Sequence, residues 1–240
     1  MRFHSTAALL LLTSTRLLSA APSAEYTLHA KAVISPKHTF QIEQHSKEDH
    51  GGSWEWQTWI MPLTKRSEAY QLPLSRHYPS SYGADYYVSP DERVLFRTQK
   101  TGSGEYYGAL FIRGRSGHYE PADVEASFDA AAWRALDARM HLSTNDWKCR
   151  YHEAIEFICW EPDRETFEIA LRGQHCYEHY FLEDWRIHYD LRSKKFFMTA
   201  DERKHNQRSF RWKNWRRPNQ SGLVLTGGGK AAGALLLTGV

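Results

Sequence analysis

Two imidazoles, a thiol and a carboxylate fall close together in Gly173-Gln174-His175-Cys176-Tyr177-Glu178-His179. His175 and His179 are four positions apart, which puts them on one side of either a helix or a strand. Zinc takes three or four nitrogen, sulfur or oxygen ligands, and Cys149, His152, Cys159 or His188 could complete such a set from neighbouring strands. The spacing matches no standard zinc pattern, so His175 and His179 are weak metal candidates, set against the ordinary role of loop histidines in local hydrogen bonding. His152-Glu153-Ala154-Ile155-Glu156 lacks the second histidine of a zinc-protease helix. Glu153, Glu156, Glu161 and Asp163 are near neighbours in sequence, and glycan hydrolysis needs two carboxyls about 5 to 9 Å apart across a cleft. No nucleophile elbow, nucleotide phosphate loop or dinucleotide-binding glycine motif is present.

Binding residues are better marked than catalytic ones. In Gly52-Ser53-Trp54-Glu55-Trp56, an extended backbone would place Trp54 and Trp56 on the same side, about 6.6 Å apart. Two indoles at that separation make an apolar platform for a sugar ring or a protein surface, although tryptophans of this size also serve as core. Arg203 to Pro218 carries seven Lys or Arg residues and no acid. Within it Arg211, Trp212 and Lys213 alternate as a strand would, giving either a solvated edge or a basic aromatic patch for an acidic glycan or another polyanion. Arg97, Gln99 and Lys100 lead into the polar glycine loop Gly102-Ser103-Gly104, and together they would line a ligand-binding rim. No cofactor is called for by any of these groups.

The elements that must position these residues are mainly strands. Trp, Tyr and Phe are frequent from Glu25 onward, and polar turns separate short runs with apolar residues at alternate positions. Ser35-Pro36-Lys37-His38 precedes Thr39 to Gln44; Ser89-Pro90-Asp91-Glu92-Arg93 precedes Val94 to Gln99; Glu161-Pro162-Asp163-Arg164 precedes Glu165 to Arg172. Tyr189 to Lys195 likewise precedes Phe196 to Thr199. Proline presets φ and the Asp side chain bonds its own backbone, which starts a hairpin. One segment departs from this pattern: Phe128, Ala132, Trp133, Leu136 and Met140 share a helical face, predicting a helix from Ser127 to Met140. The expected fold class is mainly β, antiparallel hairpins in a propeller-like or meander arrangement with one inserted helix, or an α+β domain with that helix as a lid.

The recurring Ser-Pro-Asp turn, complete at Ser89 to Asp91 and degenerate elsewhere, resembles the repeat of TolB-type β-propellers. That resemblance implies blades of about 40 residues, of which this chain has room for four or five at most. Around Ser89 to Gly104 the chain also resembles exported bacterial proteins of unassigned function.

The first 24 residues have a basic start at Arg2, an apolar run at Leu9 to Leu12 and small residues from Ala20 to Ala24, as in a secretory signal peptide. Residues 25–218 are expected to form a single β-rich domain, and residues 219–240, poor in aromatics and charge, a flexible tail. The whole chain of 240 residues carries a formal charge of +3; without the first 24 residues the balance is 29 basic groups against 28 acidic, which gives no general attraction to polyanions. Three cysteines, Cys149, Cys159 and Cys176, permit one disulfide, with Cys176 the partner of one of the others, or three buried thiols. These observations lead to the expectation of a secreted or periplasmic, non-enzymatic module that binds a protein or an envelope polysaccharide. The alternative is an extracellular glycan hydrolase using a Glu/Asp pair.

Overall fold

The protein was analysed as a computed structural model, which describes residues 21–29, 32–73, 82–122, 127–141, 150–163, 165–175 and 180–212. Residues 1–20 of the segment read as signal peptide, the whole of the C-terminal tail, and Cys149, Cys176, His179 and Lys213 lie outside these residues. The fold is mainly β, built of antiparallel hairpins with helical insertions. No helix among the described residues is long and apolar enough to cross a membrane. The chain divides into two compact units, residues 1–101 with 108–128 and residues 102–107 with 129–240.

The first unit holds two strand groups. β1 (Thr27–Leu28), β2 (Val33–Ile34), β3 (Phe40–Glu48), β4 (Trp54–Pro62) and β5 (Tyr70–Gln71) pair in the order β1-β3-β4-β5, with β2 also on β3. β6 (Ala84–Val88), β7 (Val94–Gly102), β8 (Glu105–Arg113) and β9 (Tyr119–Pro121) follow as a meander. Alternation sends Phe40, Ile42 and Ile60 from the first group and Tyr86, Val88, Leu95, Phe111 and Tyr119 from the second into one buried cluster. Fully burying an apolar side chain of this size contributes about 1.5 to 3 kcal/mol, so this cluster is the main source of cohesion in the unit.

The Ser-Pro turns repeat in detail. Ser35 N–H donates to Phe40 O (3.0 Å) and His38 N–H to Ser35 O (2.9 Å); Ser89 N–H donates to Val94 O (2.9 Å) and Glu92 N–H to Ser89 O (2.8 Å). In both, the buried serine Oγ accepts the N–H five residues on, from Phe40 at 3.2 Å and from Val94 at 3.0 Å. His38 and Glu92, the fourth residues, both adopt left-handed backbone, with φ of 56° and 61°. The Glu161 turn keeps the outer bond, Glu161 N–H to Thr166 O at 3.0 Å, and Asp163 replaces the serine as acceptor for Glu165 and Thr166 N–H. The first two turns are also joined: Glu92, 2% exposed, accepts from Lys37 N–H at 2.8 Å and from Thr39 Oγ1.

The second unit is built on β10 (Arg150–Trp160), β11 (Thr166–His175) and β12 (Tyr180–Asp190), antiparallel in that order. Ala154 of β10 also pairs in parallel with Tyr106. Helix α1 spans Ser127–Met140, as its apolar spacing predicts, with Ala132, Trp133 and Leu136 buried. β12 pairs on its outer side with β13 (Lys195–Phe197) at one end and β14 (Phe210–Trp212) at the other. Between them lies a second helix, α2 (Ala200–Ser209), which the sequence reading did not anticipate. Its Asn206 donates to Arg186 O and accepts from Arg186 N–H, both at 2.7 Å, filling the strand partner's role in the gap between β13 and β14.

Candidate functional site

Trp54 and Trp56 share a face of β4, as expected. Their β3 partners are Glu48 and Ser46, and two residues further Thr58 faces Gln44. The inner end of this row belongs to the core: Thr58 Oγ1 is 2.6 Å from Tyr86 OH, and the Gln44 amide exchanges two 2.7 Å hydrogen bonds with the Ala84 backbone. Toward the outer end, His29 stands edge-on to Trp56 at 4.3 Å and to Trp54 at 6.0 Å between centroids. A side chain at Gly83 would come within 3.3 Å of the Trp56 ring, so glycine there lets the chain lie against the indole. Trp54 is 43% exposed and adjoining Tyr82 is 41% exposed, with Lys100 Nζ 4.9 Å above the Tyr82 ring. Trp54, His29 and Trp56 therefore form an aromatic lip, and Gly83, which lies against Trp56, directly follows Tyr82 with Lys100 over its ring.

The rim expected from Arg97 and Gln99 does not form. Both are 2% exposed. Their partners in β6 are Tyr86 and Ala84, so they point to the buried side of β7. Gln99 accepts from Arg97 and donates to Tyr82 O at 3.0 Å and Lys100 O at 2.7 Å, tying down the backbone beneath the lip. Lys100 alone of the three is only half-buried, with its ammonium over the Tyr82 ring. In the other predicted patch, Arg211 and Trp212 lie on β14, opposite Phe181 and Tyr180, while residues 203 to 209 are helical rather than extended.

The carboxylates grouped by sequence have separate duties. Glu153 pairs with Arg150 at 2.6 Å, Glu156 with Arg172 at 2.9 Å, and Asp163 holds its own turn. Glu161 instead joins a polar row that crosses the second unit. A bulge between Phe157 and Cys159 shifts the β10 register so that Cys159, rather than Ile158, stands opposite Glu168. Glu168 in turn stands opposite His188, and His188 opposite Phe197. Opposite residues of antiparallel strands share a face, so the bulge aligns thiol, carboxylate and imidazole. Cys159 Sγ lies 3.7 Å from Glu161 Oε1 and 3.9 Å from Glu168 Oε2. His188 Nε2 is 2.8 Å from Glu161 Oε1, and Nδ1 is 2.8 Å from Glu202 Oε1, the latter an ion-pair contact without hydrogen-bond alignment.

Electrostatics in this row follow from burial and crowding. Burial, then the charges of Glu161 and Glu168, push the free Cys159 thiol up to about 11, so it is protonated and a poor nucleophile at neutral pH. Burial also raises Glu168, against the attraction of Arg186 and His188. Burial works to lower His188, but its contacts with Glu161 and Glu202 outweigh that and raise it. Among the described residues, Cys159, Glu161 and Glu168 offer ligand atoms within 4.8 Å of one another. His175 ends β11 opposite Arg150, and His152 Nδ1 turns to Ser103 O, 2.6 Å away in the loop before β8, rather than to this row.

Comparisons with known proteins add little to this geometry. No protein-family model matches the chain, and no match was found among curated proteins. Among solved structures, the chain is similar to a putative 6-phosphogluconolactonase from Bacteroides uniformis, at 11% identity and a TM-score of 0.36. The match covers 75% of this chain and 41% of that one, so this chain spans about two fifths of that structure's length.

Proposed function

We propose that the protein is an exported, non-enzymatic binding module, secreted or periplasmic, that holds an envelope polysaccharide against the aromatic lip. The observation that carries this reading is Trp54, 43% exposed, on the same strand face as Trp56 and braced by His29. An indole that has been held in place loses little freedom when a sugar ring stacks on it. Lys100 beside Tyr82 favours acidic sugars over neutral ones. The signal-like first 24 residues support export, and the matching hydrogen-bond plan of the Ser35 and Ser89 turns supports TolB-type repeats in the first unit.

Affinity electrophoresis through gels containing soluble acidic and neutral polysaccharides tests the proposal. The wild-type chain should be retarded, more by the acidic polymer. Trp54→Ala should weaken binding at least tenfold, since a buried-on-binding aromatic anchor is worth about 2 kcal/mol or more. Unchanged retardation of the variant would reject the lip as the site, and cleavage of the polymer would reject the non-enzymatic part.

A further inference from the structure

The polar row of the second unit is separate from the proposed polysaccharide site and has a composition of its own. We infer that Cys159 Sγ, Glu161 Oε1 and Glu168 Oε2, which lie within 4.8 Å of one another, form a three-donor site for a single divalent transition-metal ion of the zinc class, with His188 behind Glu161. Ligands at about 2.0 to 2.3 Å from a tetrahedral ion stand about 3.3 to 3.6 Å from one another. The two sulfur–oxygen separations, 3.7 and 3.9 Å, are within a few tenths of an ångström of that spacing. His188 Nε2 stands outside this set and, 2.8 Å from Glu161 Oε1, orients that carboxylate.

The surroundings support the same reading. His188, 8% exposed, has Nε2 directed into the row and Nδ1 against Glu202, which is 4% exposed. An outer partner of this kind fixes the orientation of a ligating carboxylate, and its loss weakens metal affinity about 10- to 100-fold. Glu202 is itself held, because its Oε2 accepts the Thr199 N–H. Glu168 turns Oε1 toward Arg186, 3.7 Å away, and Oε2 toward Cys159. A thiolate among the donors selects zinc-like ions over calcium or magnesium. The bulge before Cys159 is what brings the sulfur into the row, and bulges commonly re-aim one side chain in this way.

Cobalt(II) titrated into the metal-free full-length chain tests the inference, because thiolate ligation gives a near-ultraviolet charge-transfer band that oxygen and nitrogen ligands do not. With Cys149→Ser and Cys176→Ser in place, Cys159 is the sole thiol, and the band should still saturate at one cobalt per chain. Adding Glu168→Gln or His188→Gln should weaken cobalt affinity at least tenfold, with far-ultraviolet circular dichroism confirming the fold. Absence of the band from the chain whose sole thiol is Cys159 would overturn the inference. So would a wild-type band whose affinity is indifferent to both Glu168→Gln and His188→Gln.

Discussion

Glu92 shows how one residue can hold two repeats together. Burial alone would raise its pKa, yet hydrogen bonds from Thr39, Ser35 and the Lys37 N–H, with the Arg113 charge, lower it below the usual glutamate value. The native state therefore binds this proton more weakly than the unfolded chain does, so the stabilisation is complete at neutral pH and fades as pH falls through the carboxylate range. Glu92→Gln should cost about 1 to 3 kcal/mol at neutral pH in urea unfolding and should flatten the loss of stability on acidification. An unchanged pH profile would show that Glu92 carries no such linkage. The Ser89 turn around Glu92 was legible in sequence because its determinants are local. Its partners Lys37 and Thr39 lie more than 50 positions away and were not. Arg97 and Gln99 were misplaced for a related reason. Polar residues at alternate positions suggest a solvated face, but β7 is covered on both sides and folds its polar groups inward.

At the scale of elements, α2 is the instructive case. Thr199-Ala200-Asp201-Glu202 is a capping box: Thr199 Oγ1 accepts the Glu202 N–H at 3.2 Å while the Glu202 carboxylate accepts the Thr199 N–H. That signal is present in the sequence and identifies both the helix and Glu202, whereas the alternation from Arg211 to Lys213 points to a strand. The strand exists only from Phe210 onward among the described residues. Thr199→Ala should remove about 1 kcal/mol, seen as a lower urea midpoint with an unchanged slope. Because the same box holds Glu202 behind His188, this variant should also weaken cobalt binding. Helix α1 was fully legible, since Phe128, Ala132, Trp133 and Leu136 recur with helical period and all four are buried. The bulge at Ile158 was not, because nothing in Phe157-Ile158-Cys159 marks an extra residue until the register with β11 is known.

For the molecule as a whole, composition and turn chemistry were enough to read a mainly β chain of antiparallel hairpins. Which hairpins share a core was not, since Ile42, Tyr86 and Phe111 meet only through long-range packing. The lip shows both sides of this. Trp54 and Trp56 follow from a period of two, whereas His29 joins them through its backbone bond to Gln44, which no local pattern encodes. One further consequence belongs to the substitution of Asn206 for a strand. β13, α2 and β14 together occupy the outer side of β12 from Tyr180 to Asp190, with Asn206 on the Arg186 backbone and Ser209 and His205 on the Asp184 carbonyl. A sheet border left with unpaired amide and carbonyl groups is a template for another chain, and here the side chains of one short helix, Asn206 foremost, close the remaining opening. Asn206→Ala should expose that short stretch of backbone, and light scattering should then report concentration-dependent self-association that the wild-type chain does not show. Resistance to aggregation would in that case depend on a helix rather than on the strands it guards.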